Sequence, residues 1–324
     1  MWSLYAIVFG FLIDLILGDP HGLIHPVVII GRLISALEKL FRKLFPDTSS
    51  GKKAAGLMIW ILTVVISTAV PYLILFGCHM ISPWLRLAVE SIMCWQIIAV
   101  RSLKSEAMKV YRALKTGDIV LSRKAVSMIV GRDTERLDET GVAKAAVETV
   151  AENTSDGTAA PLFYMALGGA AAGFLYKAVN TMDSMLGYVE EPYKDIGFVP
   201  AKMDDVFNFI PSRLCAILML AAGAVLRLDI KNGWKIFKRD RYNHASPNSA
   251  QTESVCAGLL DVQLAGDAWY HGELHKKKFI GDPIRKIEFK DIITSCSLLY
   301  ATALFSLVVS VALRVLLLVI MQSL

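Results

Sequence analysis

The chain has 324 residues, 55% hydrophobic and 19% charged, with 34 Lys plus Arg against 29 Asp plus Glu and a net charge of +5. Residues 54–85 hold no Asp, Glu, Lys or Arg, a longer stretch than the roughly 20 apolar residues a spanning helix needs. This excludes a disordered tail, a disulfide scaffold and a soluble enzyme with one minor anchor, and it makes the small cationic excess a report on membrane orientation rather than on nucleic-acid binding.

The chain opens on an apolar run, Trp2 to Leu17, that carries Asp14. It lacks the basic leader and small-residue cleavage site of a signal peptide, so we expect it to be retained. In the GDPHGLIHP segment that follows, His21 and His25 flanked by prolines read as a rigid turn rather than a metal pair. Further apolar runs cover Ala54 to Ile81, Trp84 to Val100, Ala160 to Val179, Val206 to Leu226 and Ile292 to Met321. Arg86, Glu90 and Arg213 inside them weaken the case for a simple crossing. Between the runs, β-branched alternation is absent, so the polar segments, about 101–159, 180–205 and 227–291, read as helix and loop. Arg101 to Lys115 has the pattern of a basic amphipathic helix stopped at Gly117-Asp118. The expected architecture is an all-α polytopic membrane bundle forming one domain over 1–324. The five cysteines show no C-x-x-C spacing and read as small buried hydrophobes.

The densest set of charged groups is GRDTERLDETGVAKAAVETVAENTSDG, Gly131 to Gly157. A helix from Gly141 onward stacks Lys144, Glu148 and Glu152 in one column. Stacked carboxylates can share a hard divalent cation such as Mg²⁺, and a solvated face with i, i+4 ion pairs is the alternative. The run ENTSDG, with Asn153 and Asp156, precedes an apolar stretch and implies a helix end, serving either as cap or as ligand site. Asn180 and Asp183, in NTMDSMLGY, sit at the edge of an apolar run, where carboxylates are functional suspects. Asp204-Asp205 and Arg213 bracket VFNFIPS, and an Arg at such depth wants a carboxylate or a phosphate. In RDRYNHASPNSAQTE, Arg239, Arg241 and Asn248 have phosphate-binding chemistry, or form a plain basic juxtamembrane loop. Neither the P-loop sequence G-x-x-x-x-G-K-[ST] nor H-E-x-x-H occurs.

Together the segments DLILGDPHGLIHPVVIIGRLI, VGRDTERLDETGVAKAAVETVAENTSDGTAAPLFYMALGG, YKAVNTMDSMLGY, DDVFNFIPSRL and RDRYNHASPNS resemble the CobD/CbiB family of cobalamin-biosynthesis membrane proteins, in order over roughly residues 12–283. The resemblance implies an ATP-dependent C–N ligase, adenosylcobinamide-phosphate synthase, that joins a carboxylate of adenosylcobyric acid to (R)-1-aminopropan-2-ol or its O-phosphate. Such a ligase first makes an acyl phosphate or acyl adenylate, with Mg²⁺ between carboxylates and the triphosphate. On that footing Glu148, Glu152, Asp156 and Asp183 are expected to hold Mg²⁺ and serve catalysis. Arg132, Lys144 and Arg239 are expected to neutralise phosphate, with Asn153, Asn180, Asp204, Arg213, Asn248 and Glu253 completing the substrate site. Glu253 or Asp204 would take the amine proton. Later cobalamin-pathway enzymes are expected partners, alongside membrane lipid. A permease for a corrinoid or other anion, or a scaffold subunit, are the competing classes.

Lys and Arg counts favour both termini outside, which places Asn180 to Asp205 opposite the other polar segments. A nucleotide-using site needs all three facing the cytoplasm at the plasma membrane. We therefore expect Ala160 to Val179 and Val206 to Leu226 to form a buried pair returning the chain, leaving about four true spans.

Overall fold

The computed structural model describes every residue except 21, 23, 24, 189, 271 and 324, so the turn expected at His21 lies outside the described residues. In chain order the helices are α1 (Trp2–Leu17), α2 (Pro26–Leu44), α3 (Ser49–Ile81), α4 (Pro83–Trp95), α5 (Val100–Lys115), α6 (Ile119–Ser127), α7 (Glu139–Thr154), α8 (Ala160–Leu186), α9 (Phe198–Phe207), α10 (Phe209–Val225), α11 (Ile230–Asp240), α12 (Ser249–Leu259) and α13 (Lys290–Ser323). A π-helical turn, Ser155–Ala159, joins α7 to α8, and short strands β1 (Leu264–Ala265), β2 (Ala268–Tyr270), β3 (Glu273–His275) and β4 (Phe279–Ile280) precede α13.

Among the described residues four helical stretches are long and apolar enough to cross a membrane: Ser49–Ile81, Pro83–Lys115, Glu139–Leu186 and Lys290–Ser323. The pair α9 and α10, bent by 45°, makes a fifth if it counts as one span. The protein is a multi-pass helical membrane protein.

Several helices start where the sequence offers a cap. Asp118 accepts from the Val120 and Leu121 N–H groups at 2.9 and 3.0 Å, Asp138 from Gly141 at 2.7 Å, and Asp229 from Asn232 at 2.9 Å. Each satisfies donors that a helix N-terminus leaves unpaired. His25 does the same for α2, its Nδ1 accepting from Val27 N–H at 3.2 Å ahead of Pro26.

The chain forms two compact units. The first comprises Met1–Ala99, Ala160–Asn208 and Leu307–Leu324. Here α1 lies on α4 at a separation that only glycine permits. A Cβ at Gly10 would stand 2.5 Å from Cys94 Cβ and 2.8 Å from the Trp95 nitrogen. Gly56 of α3 likewise faces the Ile196 carbonyl with no room for a side chain.

The second unit comprises Val100–Ala159 and Phe209–Ser306. Its centre is α12, whose residues from Ala250 to Leu259 are all buried. Gly258 meets α11 backbone to backbone, with the Asn232 side-chain Nδ2 donating to the Gly258 carbonyl at 3.0 Å and to Asp261 at 2.8 Å. Strand β1 pairs antiparallel with β4 (Leu264↔Ile280) and β2 with β3 (Trp269↔Leu274).

Two expectations need correction, and two helix breaks were not expected. The polar segment 227–291 contains strands as well as helix and loop. The run from Trp84 to Val100 falls within the candidate span Pro83–Lys115, in which α4 ends at Trp95 and α5 begins at Val100. Helix α7 does end within ENTSDG, at Thr154, but not in a cap and loop: the π turn carries the chain on into α8 and keeps Ser155, Gly157 and Thr158 buried. Finally, α8 is broken at Gly168 (φ −139°, ψ 22°) and Gly169 (φ 67°, ψ −160°). The second of these is a conformation essentially reserved for glycine.

Candidate active site

The second unit gathers most of the expected site residues. Helix α7 sets Lys144, Glu148 and Glu152 on successive turns, while Val142, Ala146, Val150 and Ala151 bury the rest of the helix. Glu148 is fully engaged: one oxygen accepts from Arg132 at 2.6 Å and the other from the Ala265 backbone N–H at 2.6 Å. This ties β1 to α7 and fixes Arg132 in place. Glu152 accepts from the Ser249 hydroxyl at 2.7 Å. Asn153 donates back to the Thr149 carbonyl at 3.0 Å.

One turn along α12 from Ser249 stands Glu253, 5% exposed. Its Oε2 has no hydrogen-bond partner, and neither does the buried Nε of Arg132. Both residues line a cavity of about 150 Å³, together with Glu152, His244, Tyr270 and Lys277. A buried acceptor and a buried donor left unpaired on two residues that line one cavity are costly unless a bound group reaches them. Burial, reinforced by the Glu152 and Glu148 charges, pushes the Glu253 carboxyl well above its ordinary value. Burial also lowers His244, against the opposing pull of Glu152. His244 Nδ1 accepts from the Ser246 N–H at 3.1 Å, so the neutral ring carries its proton on Nε2. Lys277 donates to the Tyr270 hydroxyl at 2.7 Å.

Arg132 and Ala265 also line a second cavity, of about 250 Å³, with Arg136, Lys144, Asp133 and Asp267. Three cations against two carboxylates make its wall basic, and Arg136 is held flat on the Trp269 ring at 3.6 Å. The β-hairpin thus supplies residues that the sequence reading passed over, namely Tyr270, Lys277 and the Ala265 backbone, and the loop before α12 adds His244. The alternation in Ala268–Tyr270 and Glu273–His275 was the available signal, but it spans too few residues to stand out.

Other expected residues are placed differently. Arg239 forks onto both oxygens of Asp240 (2.7 and 2.8 Å) and onto Asp282 (2.7 Å), and these bonds raise its already high pKa. Arg213 donates to the Phe209 and Pro247 carbonyls at 2.8 and 3.3 Å and to Asn248 Oδ1 at 2.9 Å, with its guanidinium 3.6 Å from the Phe209 ring. Both guanidiniums serve to tie segments of this unit together. Asp156 sits in the π turn, within electrostatic reach of Cys215.

Asp183, Asn180 and Asp204 belong to the first unit, where they form their own cluster. Asp204 accepts from Asn208 at 3.0 Å and from the Asn180 amide, and Asp183 lies within electrostatic reach. Tyr176 donates to Asn208 Oδ1 at 2.8 Å.

Among the described residues no three His, Cys, Asp or Glu side chains gather as a metal cage. Mg²⁺ that travels with a nucleotide needs only one or two carboxylates, the phosphates and water completing its shell. The donor set fits that kind of ion: Glu152 has an oxygen to spare, whereas Glu148 has both oxygens bonded.

A family model described as "CobD/Cbib protein" matches residues 7–299. The chain is 48% identical over 308 residues to "Cobalamin biosynthesis protein CobD" of Clostridium perfringens, covering 95% of this chain and 97% of the relative. It is 45% identical over 301 residues to the CobD protein of Pelobacter propionicus (93% and 92% covered) and 42% identical over 308 to "Cobalamin biosynthesis protein CbiB" of Salmonella typhi (94% and 95%). No solved structure matches. With the family model spanning most of its length and relatives near half identical end to end, the chain belongs to the CobD/CbiB family.

Proposed function

We propose that this protein acts in cobalamin biosynthesis as an ATP-dependent amide-forming ligase, joining a carboxylate of adenosylcobyric acid to (R)-1-aminopropan-2-ol or its O-phosphate. The observation that carries the reading is the pair of unmatched buried groups, Glu253 Oε2 and Arg132 Nε, on two residues that line one cavity of about 150 Å³. A small molecule with an ammonium at one end and an anionic oxygen at the other satisfies both. The cavity is too small for a corrin ring, so the corrinoid would present only its carboxylate arm at the opening.

In this reading the adjoining basic cavity takes the phosphates of ATP, with Arg132, Arg136 and Lys144 as the cationic wall. Glu152, with Asp156 nearby in sequence, would hold the nucleotide's Mg²⁺, which supplies charge neutralisation on the phosphate oxygens. The corrinoid carboxylate attacks the γ-phosphorus of ATP and displaces ADP to give an acyl phosphate, or attacks the α-phosphorus and displaces pyrophosphate to give an acyl adenylate. The amine nitrogen then forms the C–N bond as phosphate or AMP leaves. The amine must lose a proton to react, and a carboxylate made more basic by burial receives it better than an exposed one. Glu253 is so placed, while the Nε2 proton of His244 is available to the developing oxyanion. Arg132 and Lys277 would take the anionic end of the amine, favouring the O-phosphate over the free alcohol.

The test is incubation of the detergent-purified protein with adenosylcobyric acid, aminopropanol phosphate and Mg-ATP, with mass spectrometry of the corrinoid and assay of the nucleotide. A gain of one amine less water, with ADP or AMP released, is expected. Folded protein that moves corrinoid across a proteoliposome membrane with no change of mass would make it a permease instead.

A further inference from the structure

The first unit holds a polar cavity of its own, of about 170 Å³, lined by His79 and Tyr72 of α3, Arg86 and Glu90 of α4, Gly168 of α8 and Arg314 of α13. Part of its charge is explained by the break in α8. The carbonyls of Ala166 and Leu167, released there from helical bonding, accept from Arg314 at 3.4 and 3.0 Å, and the Ala170 N–H faces Glu90 Oε1 at 3.5 Å. These contacts cap both ends of a broken helix, as a bilayer requires.

They do not use all the charge present. The Nε atoms of Arg86 and Arg314 are buried donors without a hydrogen-bond partner. Glu90, 1% exposed, has a second oxygen that is likewise unpartnered by hydrogen bonds and lies 3.5 Å from Arg86 Nε. Two guanidiniums against one carboxylate leave the cavity cationic. The planar fork of Arg matches phosphate oxygens better than it matches a single acceptor.

The surroundings say what kind of phosphate. Trp2 and Trp84 pack edge to face at 5.1 Å beside these helix ends, and tryptophan gathers at membrane interfaces. From the cavity rim, α3 exposes Tyr72 (59%), Leu73 (61%) and Phe76 (54%) along its length. A soluble anion has no use for that apolar strip, whereas an acyl chain does. We propose that this cavity is a headgroup site for an anionic phospholipid, its phosphodiester held by Arg86 and Arg314 and its acyl chain lying along the outward face of α3. The proposal is independent of the ligase reading.

Native mass spectrometry of the full chain, titrated with phosphatidylglycerol or phosphatidylcholine, tests it. Each basic side chain at a membrane surface favours an anionic lipid by about fivefold, so one phosphatidylglycerol should be retained over phosphatidylcholine by at least that factor. Arg86→Gln should abolish the preference and Arg86→Lys should keep most of it. Equal retention of the two lipids by the wild type overturns the proposal, and that comparison needs no variant to fold. An undiminished preference in a folded Arg86→Gln protein overturns it too. So does release of bound phosphatidylglycerol by millimolar inorganic phosphate, which would assign the site to a soluble anion.

Discussion

The two units both bury charge, and they do so for different ends. In the first, Arg314 and Glu90 are spent largely on the freed backbone of α8, so ionic groups mend a helix that glycine has broken. In the second, Glu148 is clamped between Arg132 and the Ala265 N–H, and this clamp holds Arg132 beside a neighbouring set, Glu152, Glu253 and His244, around an open cavity. The difference shows how to sort charges in a membrane protein: a group whose oxygens and protons are all matched is scaffold, and one left unmatched against space is a site.

Breaking that distinction should have its largest effect at Glu152. Glu152→Gln removes a charge and almost no volume, so folding should survive while ligation, followed by corrinoid mass, falls by about a hundredfold or more, the order expected for losing a buried charged contact. Unchanged turnover would reduce Glu152 to a partner of Ser249. On the scaffold side, Asp240→Asn weakens the Arg239 fork and the bond from the Gly281 N–H at 2.8 Å. It should cost about 1–3 kcal/mol, seen as a lower Tm, with little change in KM for the amine in whatever protein stays folded. A helix-contact test in the first unit is Gly10→Ala, expected to cost about 1–3 kcal/mol by forcing α1 away from α4.

The smallest effect is on pH dependence. The raised Glu253 carboxyl favours the fold below its unfolded value of about 4.3, and that contribution is lost as pH rises through the folded value. Glu253→Gln should therefore gain Tm relative to the wild type as the pH is raised from below about 4.3, as a site residue does when function is bought with stability. A Tm difference that does not change with pH would mean Glu253 is ionised and matched in the free protein.

How much of this was legible follows from the range of the interactions involved. The bounds of α1, Trp2–Leu17, and the column Lys144, Glu148, Glu152 could be read because they depend on local apolar runs and on helical period. The stop of α5 before Gly117-Asp118 is equally local. The break in α8 was not legible: GGAAAG shows small residues, but what stabilises the break is Arg314, 147 residues away, together with Glu90. Nor was the role of Arg239, whose phosphate-binding look is cancelled by Asp282, 43 positions on. Strands of two or three residues carry no usable period, so Lys277 and Tyr270 went unnoticed until β1–β4 brought them to the cavity.

The central claim is that the unmatched pair Glu253 and Arg132 receives the small amine substrate. Isothermal titration calorimetry of aminopropanol phosphate into the purified protein, without ATP or corrinoid, tests it most directly. Binding to the wild type that weakens about tenfold or more in Glu253→Gln, and that is weaker again for free aminopropanol, is the predicted result. Equal affinity of wild type and variant for both amines would contradict it, even if the protein proves to be a ligase.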